Sequence, residues 1–79
     1  MNFPEDRSNL IVGFKQVKKA ILAGVCQRIY LAEDCSQNIS DNLHAIAGDI
    51  EIISVPTTLE LGNLCRIDVP ASCAAQIRL

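Results

Sequence analysis

Aromatic residues are almost missing from this chain. It has no tryptophan, and its only aromatic side chains besides a single histidine are Phe3, Phe14 and Tyr30. Its core must therefore be aliphatic, built from Ile, Leu, Val and Ala. No apolar run approaches the ~18 residues that a membrane span needs. The opening MNFPEDRSNL puts Pro, Glu, Asp and Arg where a signal peptide carries its apolar stretch. A cytoplasmic location is the expectation. With one histidine and no C-x-x-C among Cys26, Cys35, Cys65 and Cys73, the ligand spacing of a zinc site is missing. The thiols read as small buried hydrophobes kept reduced, and no metal or cofactor is expected. There is no Gly-rich phosphate loop, and no nucleophile–base pair argues for an enzyme. Repeats, linkers and low-complexity segments are also missing. The 79 residues read as one domain, with residues 1–8 as a loosely ordered lead-in. A composition of 49% apolar and 20% charged residues places the chain among globular rather than disordered proteins. At this length only roughly 60–65% of the unfolded surface is buried, so the core is modest.

Charge is present but unevenly placed. The net charge of −2 gives no global attraction to nucleic acid. Residues 7–28 nevertheless hold Arg7, Lys15, Lys18, Lys19 and Arg28 with no acid. Residues 29–65 hold six acids, Glu33, Asp34, Asp41, Asp49, Glu51 and Glu60, and no Lys or Arg. One end of a small fold can thus be basic while the whole is acidic.

Residues 9–13, NLIVG, read as a short strand ending in glycine. A helix follows over about Lys15 to Ala23, with Phe14, Val17, Ala20 and Ile21 on one face, Lys15, Lys18, Lys19 and Leu22 on another, and Gly24 as its stop. Arg28 to Ala32 reads as a buried strand. SQNISDNLHAIAGD reads as a second helix with an Ile39, Leu43, Ile46, Ala47 stripe ending at Gly48. Ile50 to Val55 is a β-branched strand. Pro56 closes it, and Thr57 or Thr58 can cap a short helix over about Leu59 to Cys65, with Leu61, Leu64 and Cys65 inward. RIDVP is a loop. The final ASCAAQIRL fits a helix by its alanines and a strand by its place at the end of an alternating chain. The order implies a small sheet with helices on both faces, and crossovers of this kind pair parallel strands.

The stretch GFKQVKK carries the strongest functional signal. A helix N-terminus already bears about half a unit of positive charge and unpaired N–H groups. Lys15, Lys18 and Lys19 sit there with no carboxylate in the first two turns, each opposing the dipole by about 0.3–1 kcal/mol at low salt. A bound anion reverses that sign. Gly13 permits a sharp turn and a close approach, and the Gln16 amide can both donate and accept, which suits a base edge. Spacing alone leaves two readings open, an anion- or base-binding mouth and a solvated lysine-rich face. Glu33 and Asp34 fit a solvated strand end or a helix-capping acid better than a metal or acid–base pair. His44 fits a satisfied helix histidine. The Arg66–Ser72 loop exposes Ile67 and Val69, which points either to a bound partner or to a loop packing its own side chains.

Three blocks, IVGFKQVKKAILAG, YLAED and VPTTLELGNLCRIDVPASCAA, resemble the ribosomal protein L7Ae family of kink-turn RNA-binding proteins, in particular its small bacterial YbxF/YlxQ type. The resemblance runs from about Leu10 to the C-terminus. It implies an α/β fold, a three-layer α-β-α sandwich around a small mixed sheet of about four strands, with the last segment a strand. It also implies the ligand, a kinked RNA duplex with a short bulge and tandem sheared G·A pairs, in ribosomal or other structured RNA. The family's motif at the start of the helix matches Gly13-Phe14-Lys15-Gln16, and its further lysine matches Lys19, with Lys18 beside it. The family's apolar loop over bulge nucleotides matches Ile67-Asp68-Val69-Pro70. An undistorted A-form major groove is too deep and narrow for side chains, so such a motif reads RNA where it is bent open. A monomer is the default expectation, with ribosomal proteins as further partners where the RNA is ribosomal. The chain departs from the pattern at Ser36-Gln37, where many members have Asp-Pro, and at Thr57-Thr58, where many have Ser-Lys. Arg66 stands where glycine is usual. Those departures motivate a second expectation, a protein-interaction module on the same fold with weakened RNA binding.

Overall fold

The computed structural model describes residues 9–78. The expected loose lead-in over residues 1–8 lies outside them. Seven elements follow in order: β1 (Leu10–Val12), α1 (Phe14–Leu22), β2 (Cys26–Ala32), α2 (Gln37–Ala47), β3 (Glu51–Val55), α3 (Thr58–Leu64) and β4 (Cys73–Ile77). The final segment is a strand. Its alanines explain why: Ala74 and Ala75 are fully buried at the middle of the sheet, one toward each face. Small side chains there let helices approach from both sides.

The sheet order is β1-β4-β2-β3. Only β2 and β3 pair in parallel, while β4 runs antiparallel to β1 and to β2. The mixed sheet is the one the resemblance implies, and it departs from the parallel pairing that the crossovers alone suggest. The last strand slots between β1 and β2 instead of adding to an edge, so the first crossover no longer joins adjacent strands. β1, β2 and β3 consequently point the same way, and every turn from strand into helix falls on one rim of the sheet.

Three layers result. On one face Val17 and Ala20 of α1 and Leu43 and Ala47 of α2 pack on Ile29, Leu31, Cys73 and Ala75. On the other, Leu61 and Cys65 of α3 pack on Tyr30, Ala32, Val55 and Ala74. Strand alternation divides Ile29, Tyr30, Leu31 and Ala32 of β2 between the two, while a register irregularity between Cys26 and Arg28 puts Cys26 on the same face as Ile29. None of the four cysteines is in a disulfide; Cys26, Cys65 and Cys73 are buried and Cys35 half-buried. Burial pushes the Cys73 thiol up to about 11 from an ordinary 9.0. A raised thiol stabilises the fold fully below its unfolded value and ceases to do so as pH climbs through the folded one. Stability should therefore fall by on the order of 1–2 kcal/mol between pH ~9 and ~11. Urea titration across that range checks this, and Cys73→Ala should flatten the alkaline part of the curve.

Candidate nucleic-acid interface

The three helix starts on the common rim are treated differently. At α2 the Ser36 hydroxyl accepts the Ile39 N–H at 3.3 Å. At α3 the Thr57 hydroxyl accepts the Glu60 N–H at 3.0 Å, and Asp34 accepts the Thr58 N–H at 2.6 Å. Asp34 is thus the helix-capping acid. Two helices have side-chain caps, and one also has acids at its positive end. Among the described residues the start of α1 has neither: its N-cap is Gly13, with no side-chain cap bond, and its first turn holds no acid. The first helical bond runs from the Val17 N–H to the Gly13 carbonyl, so the N–H groups of Phe14, Lys15 and Gln16 precede the regular ladder.

Gly13 has φ of 103°, a left-handed value that a side chain would strain. Its N–H donates to the Cys73 carbonyl at 2.9 Å, where β4 begins. That bond joins the start of α1 to the exit of the 66–72 loop. Lys15, Gln16, Lys18 and Lys19 are all exposed. Phe14 is half-buried and packs against the α1–α2 core, so only part of its ring reaches the surface. Arg28, grouped by sequence with these cations, is elsewhere. It sits near the start of β2, the far end of that strand from the rim, and pairs with Glu51 at 3.1 Å. The pair is exposed and contributes little to stability.

On the loop, Val69 is 60% exposed, and Asp68 and Pro70 are exposed. Ile67 is not: it is half-buried against the α3-side core. The sequence expectation that both apolar loop residues face solvent thus holds for Val69 alone. The reason is the way α3 ends. Arg66 N–H donates to Asn63 O at 3.0 Å and Ile67 N–H to Gly62 O at 3.1 Å. These are the two bonds of a Schellman motif, which turns the residue after the left-handed position back onto the helix. Arg66 holds that position with φ 59°. A left-handed non-glycine residue costs about 1–2 kcal/mol, while a cation at a helix C-terminus returns only about 0.3–1. Glycine there also adds unfolded-state entropy of about 0.5–1 kcal/mol, so the three effects nearly cancel and Arg66→Gly should leave stability, read from the urea midpoint, within about 1 kcal/mol.

Two residues at this site carried no sequence expectation. Leu59 in the first turn of α3 is 62% exposed. Gly62, in the interior of the same helix, is buried against the loop backbone. The signal for Gly62 was its place in a helix interior, where glycine costs about 1 kcal/mol relative to alanine and usually marks a close approach. His44 is exposed on α2, with Nδ1 2.8 Å from the Ser40 carbonyl. Among the described residues no group of three or more His, Cys, Asp or Glu is placed to hold a metal ion, and no helix is long and apolar enough to cross a membrane.

A sequence profile of the ribosomal protein L7Ae/L30e/S12e/Gadd45 family matches residues 4–78. The chain belongs to this family. Among its relatives is the RNA-binding protein TTE2299 of Caldanaerobacter subterraneus subsp. tengcongensis, 33% identical over 69 residues, covering 85% of this chain and 84% of the relative. The RNA-binding protein YbxF of Geobacillus stearothermophilus is 28% identical over 71 residues, covering 87% of each. Solved structures share the L7Ae-type fold. A protein of unknown function from Bacillus halodurans superposes with a TM-score of 0.81 at 21% identity, over 89% of this chain and 72% of the other. The Giardia lamblia 15.5kD RNA binding protein superposes with a TM-score of 0.75 at 20% identity, over 90% and 62%.

Proposed function

We propose that this member of the L7Ae family is a non-enzymatic RNA-binding protein, a single cytoplasmic domain acting as a monomer, that recognises and stabilises kink-turns in ribosomal or other structured RNA. The observation that carries the reading is the Gly13–Cys73 bond, which sets the uncapped, lysine-rich start of α1 beside the loop that presents Val69. Relatives bearing the name RNA-binding protein support it.

In this reading the sharp kink crowds phosphates, and the α1 terminus with Lys15, Lys18 and Lys19 offsets their repulsion. Lys15 donates to guanine O6 or N7, and the Gln16 amide pairs with a purine edge at the sheared G·A pairs. Val69 and Pro70 pack on an unstacked bulge base. The protein binds the kinked form better than the extended one and so shifts its population. Few cations face the RNA, so log affinity should fall with log salt at a slope of only a few units. Titration of a kink-turn RNA beside a duplex lacking the G·A pairs tests the reading. Clear preference for the kink-turn is the expected result; equal binding, or none, at moderate salt overturns it.

A second reading, a protein-interaction module on the same fold, draws on the exposed Leu59 and Val69 and the sequence pI of about 5.1. Co-purification of a protein partner that survives nuclease treatment would favour it.

A further inference from the structure

The loop between α3 and β4 is tied to the helix along its whole length. Besides the two Schellman bonds at its start, the Ala71 N–H donates to the Thr58 carbonyl at 3.0 Å, at the opposite end of α3. Between these anchors only Asp68, Val69 and Pro70 are left, and the backbone of Val69 and Pro70 lies against Gly62 of the helix. A Cβ built on Gly62 would overlap the Val69 carbonyl oxygen and come within 3.2 Å of Pro70 Cα. The obstructing atoms are backbone, so no rotamer change relieves the overlap. Gly62 does not have the positive φ found at Gly13, Gly24 and Gly48. Its dihedrals suit any residue, and what the site requires is the missing side chain. Just beyond the Ala71 anchor β4 begins at Cys73, whose carbonyl accepts from the Gly13 N–H. One rigid connection therefore runs from α3 through the loop to the start of α1.

We infer that Gly62 is a positioning residue of the RNA site, which fixes the height of the 67–70 arch over α3 and thereby sets the length of unpaired RNA the protein accepts. The inference rests on the RNA-binding reading above and extends it. The α1 mouth takes the paired, kinked region, and Val69 takes an unstacked base. With their separation fixed before binding, one bulge length spans it without strain, and shorter or longer bulges do not. A loop lifted off the helix accepts several lengths, but ordering it on binding then lowers the affinity for each of them.

The test compares the full chain with Gly62→Ala against kink-turn RNAs whose bulge grows by single nucleotides. For the natural sequence, one length should bind roughly tenfold or more tighter than its neighbours. In Gly62→Ala that preference should fall to about threefold or less, and the best affinity should drop roughly tenfold, while the salt slope stays unchanged because the α1 cations are untouched. Amide exchange on the RNA-free proteins supplies a readout independent of binding: Ile67 and Ala71 should be protected in the natural chain and exchange faster in the variant, with Ile29 unaffected. If Gly62→Ala does not fold, one glycine inserted between Asp68 and Val69 lengthens the arch with Gly62 intact, and should flatten the preference equally. An unchanged length preference in the variants, or unchanged protection of Ile67 and Ala71, overturns the inference and leaves the proposed function standing. Failure of the natural chain to bind any of these RNAs overturns both.

Discussion

Replacing Lys15 and Gln16 together by alanine should leave a protein that folds, melts at an equal or higher temperature, and no longer tells a kink-turn RNA from a plain duplex. Both side chains are exposed, so their loss removes no core packing. Lys15 lies in the first turn of a helix whose start has no acid and no side-chain cap, and its charge opposes the dipole. Removing it returns about 0.3–1 kcal/mol at low salt, and alanine is the better helix former at both positions. Binding should respond in the opposite direction. Two good contacts to base edges carry about 1–3 kcal/mol of discrimination each. Together that is about 2–6 kcal/mol, so the ratio of kink-turn to duplex affinity should fall by at least roughly thirtyfold. Affinity for plain duplex should fall far less, since Lys18 and Lys19 remain. A stability loss with unchanged discrimination would show that these side chains serve the fold.

The largest effect on the fold is expected at Leu61. This side chain is fully buried between α3 and the sheet, beside Tyr30, Val55 and Ala74. A seven-residue helix does not hold its shape alone in water, so α3 depends on what it buries. Leu61→Ala should cost about 2–5 kcal/mol, a large share of what a domain of this size has. The melting temperature should fall by roughly 10–40 °C. RNA binding should weaken even well below that temperature, because three backbone bonds tie the 66–72 loop to α3. A loss under about 1 kcal/mol would mean that α3 is held by something other than its packing on the sheet.

What sequence reasoning reached, and what it did not, follows the range of the interactions involved. The start of α1 was legible because it is local: a glycine, three lysines and no acid lie within seven residues. The Thr57 cap is of the same kind, a bond to a residue three positions on that residue type foretells. The capping role of Asp34 follows from its residue type too, but its partner, the Thr58 N–H, lies far along the chain and only the fold brings it near. The helices and strands matched within a residue or two at most boundaries for that reason. The sheet order was not legible from periodicity. Whether β4 joins an edge or enters between β1 and β2 depends on pairing across the whole chain, and a one-dimensional pattern carries no such partner. The resemblance to the L7Ae family supplied the last strand and the mixed sheet.

The site divides the same way. Lys15 and Gln16 could be singled out from their own neighbourhood. Ile67 was misjudged as exposed because a loop read by composition gives no hint that a Schellman turn folds it back onto α3. Gly62 went unremarked because its meaning lies in the Val69 backbone that rests on it. The bond between Gly13 and Cys73, which ties together two segments far apart in the chain, is a product of the β1–β4 pairing.

That joint surface is the account's central claim, and backbone amide shifts recorded while a kink-turn RNA is titrated into the labelled protein test it most directly. The account predicts that Gly13 to Lys19 and Arg66 to Ser72 shift together, with the same apparent affinity, while the end of α2 around Ala45 to Gly48 stays still. Shifts confined to one of the two segments, or centred on α2, would contradict it.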